Sequence, residues 1–158
     1  RKDELVVTGR LVLDGDLDGD GLADVTLDGQ GLTRVLKIDG VDAELNGLTL
    51  WRGVEINRNG GTILVEDRSL SIQNSRRRAG HAIERGDIAA INCDVVLVNT
   101  GLTGGNARDG GGLMLLNSHA VLTNVSITGA IATQAGGLLA RDGSRVEMTN
   151  ITIAQNTS

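Results

Sequence analysis

A block of ten residues occurs twice near the end of this chain. Ser118–Ile127 reads SHAVLTNVSI, and Ser144–Ile153 reads SRVEMTNITI. Thr-Asn recurs at 123–124 and 149–150. A Gly-Gly pair and a short apolar run precede each block, at Gly111-Gly112-Leu113-Met114-Leu115-Leu116 and at Gly136-Gly137-Leu138-Leu139-Ala140. Self-similarity at this period restricts the chain to a solenoid, because one such unit cannot bury its apolar face without a stacked neighbour.

The spacing within a unit selects the kind of solenoid. Ala120, Leu122, Val125 and Ile127 face one way, and Val121, Thr123 and Ser126 the other. Alternation over three to five residues is a strand signal. Helical repeats need longer windows with apolar residues three and four apart, and none exists here. Gly, Asn, Asp and Ser punctuate every few residues, so strands are short and corners have turn chemistry. The pattern predicts an all-β, single-stranded parallel β-helix of five to six coils, each with about three short strands and three turns.

The repeats at 110–129 and 136–158 resemble those of bacterial right-handed parallel β-helix surface proteins, including the polymorphic outer-membrane protein repeats. Residues 14–40, DGDLDGDGLADVTLDGQGLTRVLKIDG, resemble the first coils of secreted β-helix proteins that carry a separate surface anchor. The resemblance implies a right-handed coil, a pectin-lyase-like scaffold and a secreted or cell-surface location. It leaves activity open, because one scaffold carries adhesins, lyases and plain rods.

Composition agrees with a narrow aliphatic interior. The chain has 158 residues, with 23 Gly, one Trp and no Pro, Phe or Tyr. That suits one domain over 1–158, read as a fragment of a longer protein because the chain opens on Arg1-Lys2-Asp3. A net charge of −5 argues against a nucleic-acid partner. A lone cysteine, Cys93, allows no internal disulfide and is expected to be a buried or half-buried small residue. No apolar run reaches membrane-spanning length.

In order, coils are expected over 5–31, 32–53, 54–80 and 81–111, then two more. Residues 99–111 are expected to form a long protruding corner. The first coil holds the densest group of carboxylates. Asp16-x-Asp18-x-Asp20-Gly21-x-x-Asp24 matches positions 1, 3, 5, 6 and 9 of a calcium loop, with the Leu22 carbonyl at position 7. Leu27 stands where the closing acid should be, with Asp28 one residue late. Asp16, Asp18, Asp20, Leu22 and Asp24 are therefore the candidate ligands of a structural Ca2+; the plain alternative is a solvated acidic loop.

Other residues suggest contacts rather than catalysis. Trp51, the only aromatic, is a candidate stacking platform for a sugar or else a corner side chain over the next coil. Arg76, Arg77 and Arg78 form a basic run that suits anionic surface polysaccharide or else is a solvated loop. Arg85-Gly86-Asp87 spells an integrin-recognition tripeptide, which points to a host-cell surface or else is a chance three-residue match. Asn124 and Asn150, one coil apart, are expected to form an amide ladder, although both, like Asn156, also lie in Asn-x-Ser/Thr. His119 aligns with Arg145 at an outward position.

No Ser-His-Asp order, zinc spacing or phosphate loop is present. A polysaccharide lyase or hydrolase would draw on Asp39, Arg85 and Asp87. The preferred reading is a non-catalytic structural or adhesive rod of a bacterial secreted or surface protein. The alternatives are a polysaccharide-active enzyme and an engineered or minimal solenoid. The core is expected at Leu122, Val125, Ile127, Val146, Met148, Ile151 and Ile153. Uncapped coil ends, with unpaired strand edges, are expected to promote self-association.

Overall fold

The computed structural model describes residues 4–158. Among these there is no helix. The chain winds as a parallel β-solenoid of about five turns. The first coil contains β1 (Leu5–Val7), β2 (Leu11–Asp14) and β3 (Val25–Asp28). The second contains β4 (Leu36–Asp39), β5 (Ala43–Asn46), β6 (Leu48–Trp51) and β7 (Val54–Glu55). Three regular coils follow: β8 (Ile63–Glu66), β9 (Ser69–Gln73) and β10 (Arg76–Ala82); β11 (Ile88–Ile91), β12 (Asp94–Val98) and β13 (Gly101–Asp109); β14 (Leu113–Leu116), β15 (His119–Thr128) and β16 (Ile131–Gln134). The last has β17 (Leu138–Arg141) and β18 (Arg145–Ala154).

One six-stranded sheet stacks β1-β4-β8-β11-β14-β17, and all other strands join a second sheet that wraps the remaining sides. Leu5, Leu36, Ile63, Ile88, Leu113 and Leu138 are in register. The steps from Ile63 to Ile88, to Leu113 and to Leu138 are equal, and the two before them are longer. The offset between the two sequence blocks exceeds the regular step because of the last corner. Leu116 pairs with Arg141 but His119 pairs with Arg145, so the corner at Gly143 holds one extra residue.

Left-handed residues set the regular period. The fourth coil bends at Asn92, Asn99, Gly104 and Gly110, the fifth at Asn117, Asn124, Gly129 and Ala135, all at φ between 48° and 67°. Spacings of seven, five, six and seven residues therefore close each coil. Asn tolerates this conformation better than other side-chain residues, and Gly adopts it freely. The expected three turns are thus four bends, since the third strand of each coil is itself bent. This corrects three expectations. The coil boundaries fall before Ile63, Ile88 and Leu113 rather than at 53, 80 and 111. The coil expected over 81–111 is no longer than its neighbours. Residues 101–109 are strand β13, not a protruding corner; its Gly, Thr and Asn residues hide the alternation that stacking on β10 and β15 imposes.

The Gly-Gly pairs mark where backbones pass closest. A Cβ on Gly111 would lie 2.6 Å from the carbonyl oxygens of Gly136 and Ile131, and one on Gly112 would lie 2.6 Å from that of Gly137.

The interior is a stack of aliphatic columns. Leu45, Ile72, Leu97, Leu122 and Met148 form one, and Leu36, Ile63, Ile88, Leu113 and Leu138 another. Leu122, Val125 and Ile127 are buried as expected. Val146 and Ile151 are half-buried. Met148 is 47% exposed and Ile153 46%. They occupy the inward positions opposite Leu122 and Ile127, but β18 is the last rung and nothing among the described residues covers its far side. The sequence pattern identified inward direction, which is not the same as burial. No helix among the described residues is long and apolar enough to cross a membrane.

Candidate functional site

Three features could carry function: the acidic loop, the amide ladders, and the outer face of β10 with its neighbours.

The acidic loop spans 15–24, between β2 and β3. Left-handed Gly19 and Gly21 (φ 76° and 78°) fold it tightly. Ligand oxygens of Asp16, Asp18 and Asp24 all lie within 4.8 Å of one another. Two oxygens at about 2.4 Å from one Ca2+ cannot be further apart than roughly this, so the trio matches one hard cation. Asp16 Oδ1 is buried and has no hydrogen-bond partner among the described residues. The other oxygens are partly satisfied by the loop's own backbone. Gly21 N–H donates to Asp16 Oδ2 (3.0 Å), Asp20 N–H to Asp18 Oδ1 (3.2 Å) and Leu17 N–H to Asp24 Oδ2 (2.7 Å). Asp20 stands outside the trio and accepts the Leu22 N–H at 2.8 Å. The Leu22 side chain is exposed. Asp28 does not close the loop, because the Arg52 guanidinium holds its carboxylate.

The amide ladder is longer than the sequence suggested. Asn150 donates to Asn124 (2.7 Å), Asn124 to Asn99 (2.9 Å), Asn99 to Asn74 (3.0 Å), Asn74 to Asn46 (2.9 Å), and Asn46 to the carboxylate of Asp14 (2.9 Å). A second ladder runs from Asn117 through Asn92 to Asp67 (3.0 and 2.8 Å). The evenly spaced recurrence of Asn at 74, 99 and 124, and at 92 and 117, was the available signal. Asn156 is held apart, donating to the Ile127 carbonyl.

The basic run is not a loop. It lies on β10, with Arg76 and Arg78 outward and Arg77 inward, 1% exposed, in the column of Leu50, Leu102 and Ile127. Arg77 crosses the interior to Asp87, which is fully buried, with Nη1 at 2.5 Å from Oδ2 and at 2.9 Å from the Thr103 carbonyl. The Thr62 hydroxyl donates to Asp87 Oδ1 at 2.6 Å. Arg77 Nε and Nη2 have no hydrogen-bond partner among the described residues. Burial disfavours both charges, pushing Arg77 below and Asp87 above their usual ranges.

This pair overturns two readings. Arg85-Gly86-Asp87 cannot be displayed to a receptor, since its aspartate lies inside the core. Asp39, Arg85 and Asp87 do not form a substrate-facing set either: Asp39 is exposed on β4, and Asp87 is sealed from substrate. A charge placed inward by strand alternation reads, in sequence, like any charge in a loop.

Trp51 ends β6 at 41% exposure, with the Arg52 guanidinium 4.4 Å from its ring centroid. One ring face is thus covered, and Arg78 stands directly beside Trp51 on the next strand. His119 lies outward between Asp94 (3.8 Å) and Glu147 (3.4 Å). Cys93 is buried, its thiol 2.9 Å from the Ile91 carbonyl and its pKa pushed up by burial. Ser118 fills the equivalent place one coil on, with its hydroxyl 2.8 Å from the Leu116 carbonyl. Cys93 is a structural small residue.

Comparison of the chain with protein families, with curated proteins and with solved structures gives no match.

Proposed function

We propose that this chain is a non-catalytic rod of a bacterial secreted or cell-surface protein, structural or adhesive, in keeping with the resemblance of its repeats. The observation that carries this reading is the continuous stacking. Five ladder hydrogen bonds link six successive coils, and each coil adds a layer to one aliphatic interior. Stability built from neighbour-on-neighbour contacts suits extension along an axis. A single Ca2+ at Asp16, Asp18 and Asp24, helped by Asp20 and the Leu22 carbonyl, would stiffen the loop that breaks the period in the first coil.

Two measurements test this. Incubation with acidic and neutral polysaccharides should produce no new reducing ends and no absorbance from unsaturated sugars; turnover lost on substituting an exposed residue would replace the rod with an enzyme. Melting with chelator and with millimolar calcium tests the ion. A rise of a few degrees with calcium is expected from binding linkage, at a dissociation constant of about 10⁻⁴–10⁻³ M. The rise should vanish in Asp16→Asn with Asp18→Asn. Identical melts would leave the loop as a solvated acidic corner.

A further inference from the structure

The outer surface along the longer amide ladder is a groove of about 740 Å3 that runs over coils three to six. Its lining is chemically unlike the rest of the molecule. The chain has 20 Asp and Glu against 15 Lys and Arg, yet among the described residues no carboxylate side chain lines this groove. Arg76 and Arg78 do, both exposed. Neither has a carboxylate within 4.0 Å among the described residues; Arg58, Arg68 and Arg85 share that state but lie outside the groove, and Arg10, Arg34, Arg52, Arg108, Arg141 and Arg145 are paired. These two unpaired guanidinium groups share one face of one strand, where alternate Cα atoms lie about 7 Å apart.

The rest of the floor is neutral and hydrogen-bonding. Asn99, Asn124 and Asn150 supply carboxamides at one per coil, and Ser126 and Thr152 supply hydroxyls in the column that runs from Thr26 and Thr49 through Arg76 and Gly101. These groups repeat at about 4.8 Å along the solenoid axis. Toward the N-terminal coils the groove meets Gly21, Leu22 and Ala23, the tip of the acidic loop. That loop lies against the second coil: a Cβ on Gly47 would meet the Asp16 backbone at 2.4 Å. The groove therefore has an end wall beside its two arginines.

We infer that this groove binds an extended acidic glycan along the solenoid axis, with an anionic group of the sugar chain held by Arg76 and Arg78. The hydroxyls of the following sugars meet the carboxamide and hydroxyl columns. Bidentate guanidinium contacts suit carboxylate and sulfate alike. A row of amides and hydroxyls without an apolar pocket suits sugar better than peptide. The acidic loop repels the anionic chain from running further, so the chain end or a bend sits at the arginines. This deepens the adhesive form of the rod reading and names its partner's chemistry.

The test uses the whole chain and four polymers: polygalacturonate, dextran sulfate, neutral dextran and poly-L-glutamate. Binding is followed by Trp51 fluorescence, since the only aromatic adjoins Arg78, and by calorimetry. Polygalacturonate or dextran sulfate should bind, with affinity falling as salt rises, and the stronger of the two identifies the acid group. Neutral dextran and poly-L-glutamate should bind at least tenfold more weakly. Arg76→Ser with Arg78→Ser should weaken binding by tenfold or more at unchanged circular dichroism. Ser126→Asp, which leaves both arginines in place, should weaken it several-fold. Absence of binding to both acidic glycans overturns the inference, as does unchanged affinity in both variants. Equal binding of poly-L-glutamate would make the groove a general anion surface and would overturn the glycan assignment. The rod reading is scored separately, by the absence of turnover, and survives any of these results.

Discussion

The coils from Ile63 to Gly137 and the coils before them are built on the same plan but to different tolerances. In the regular part the steps are equal, and the strands of the smaller sheet are buried on both faces: Ile63, Leu64 and Val65, then Ile88, Ala89 and Ala90, then Leu113, Met114 and Leu115. In the first two coils the steps, Leu5 to Leu36 and Leu36 to Ile63, are longer; Leu11, Leu13, Val25 and Leu27 of the first coil are only half-buried, with no earlier coil over them among the described residues, while Leu36, Ile38, Leu45, Leu48 and Leu50 of the second are buried. The extra residues sit at corners. One insertion is the acidic loop; another, at 56–60, is clamped by Arg34, whose guanidinium meets Glu4, Glu55 and the carbonyls of Asn59 and Gly60. The strands tolerate no insertion because each must meet its neighbours in register, whereas a corner can lengthen outward. New chemistry in such a fold therefore enters at corners and outward faces.

The largest effect should separate a covered rung from an uncovered one. Ile127→Asp places an unpaired charge in a fully buried column and should abolish the cooperative melt. Ile153→Asp, in the same column one coil later, should leave a folded protein. Equal damage from the two would mean that the last coil is covered in solution, as self-association through coil ends would do; light scattering would then show the associated species.

The next effect concerns the buried ion pair. Arg77→Leu or Asp87→Thr alone should cost about 3–5 kcal/mol, because each leaves one buried charge uncompensated. Together they reproduce the neighbouring coils, which carry Leu50 and Leu102 in one column and Thr62 beside Asp87 in the other. The double variant should recover most of the loss or exceed the parent, as read by chemical denaturation. A double variant no better than the singles would show that the pair does more than fill space.

A smaller effect should distinguish ladder middle from ladder end. Asn99→Ala removes two amide hydrogen bonds and leaves a side chain at φ 49°, a loss of about 2–3 kcal/mol. Asn150→Ala removes one at a similar φ of 55°, so it should cost less by the worth of a single hydrogen bond, about 1 kcal/mol. Asn99→Gly relaxes the backbone alone, so its recovery relative to Asn99→Ala measures strain rather than hydrogen bonding. Matching losses at 99 and 150 would argue against a ladder whose links are worth similar amounts.

The smallest effect is at an exposed carboxylate in the irregular part. Ser69 donates its hydroxyl and its N–H to Asp42, which lowers the Asp42 pKa below its usual 3.8. A depressed acid stabilises the fold above its unfolded pKa, and the contribution fades as pH falls through the folded value. The stability difference between parent and Asp42→Asn should therefore be present at pH 6 and shrink below about pH 4. A difference that does not change over this range would remove the link.

The fold is legible because Gly-Gly, Thr-Asn and the apolar alternation recur where backbones touch and side chains stack. Asn124 and Asn150 announce a ladder by their spacing. Arg77 does not announce itself, since three consecutive arginines look like a solvated run. The signal is positional: Arg76-Arg77-Arg78 holds the place in its coil that Gly101-Leu102-Thr103 and Ser126-Ile127-Thr128 hold in theirs, which assigns the middle residue to the interior. Coil boundaries are harder to read because left-handed Ala79, Gly86 and Ala135 carry no side-chain signal of their own. Within the acidic loop, the order of Asp residues identifies the loop but not which three carboxylates converge. That depends on left-handed Gly19 and Gly21 and on the backbone N–H groups each carboxylate accepts.

Every link of both amide ladders points the same way. Each N–H is aimed at the coil before it and each C=O at the coil after, and both ladders finish on a carboxylate, Asp14 in one and Asp67 in the other. Parallel carboxamide dipoles add as peptide dipoles do along a helix, with the positive pole at the end where the N–H groups point. The solenoid is thus an electrical vector as well as a stack, and its acidic loop begins directly after the aspartate at the positive pole. Turned end for end, two such rods would bring like poles together. Placed head to tail, the carbonyl of Asn150 would face the carboxylate of Asp14, two acceptors, so this column does not continue across such a junction without a bridging donor or cation.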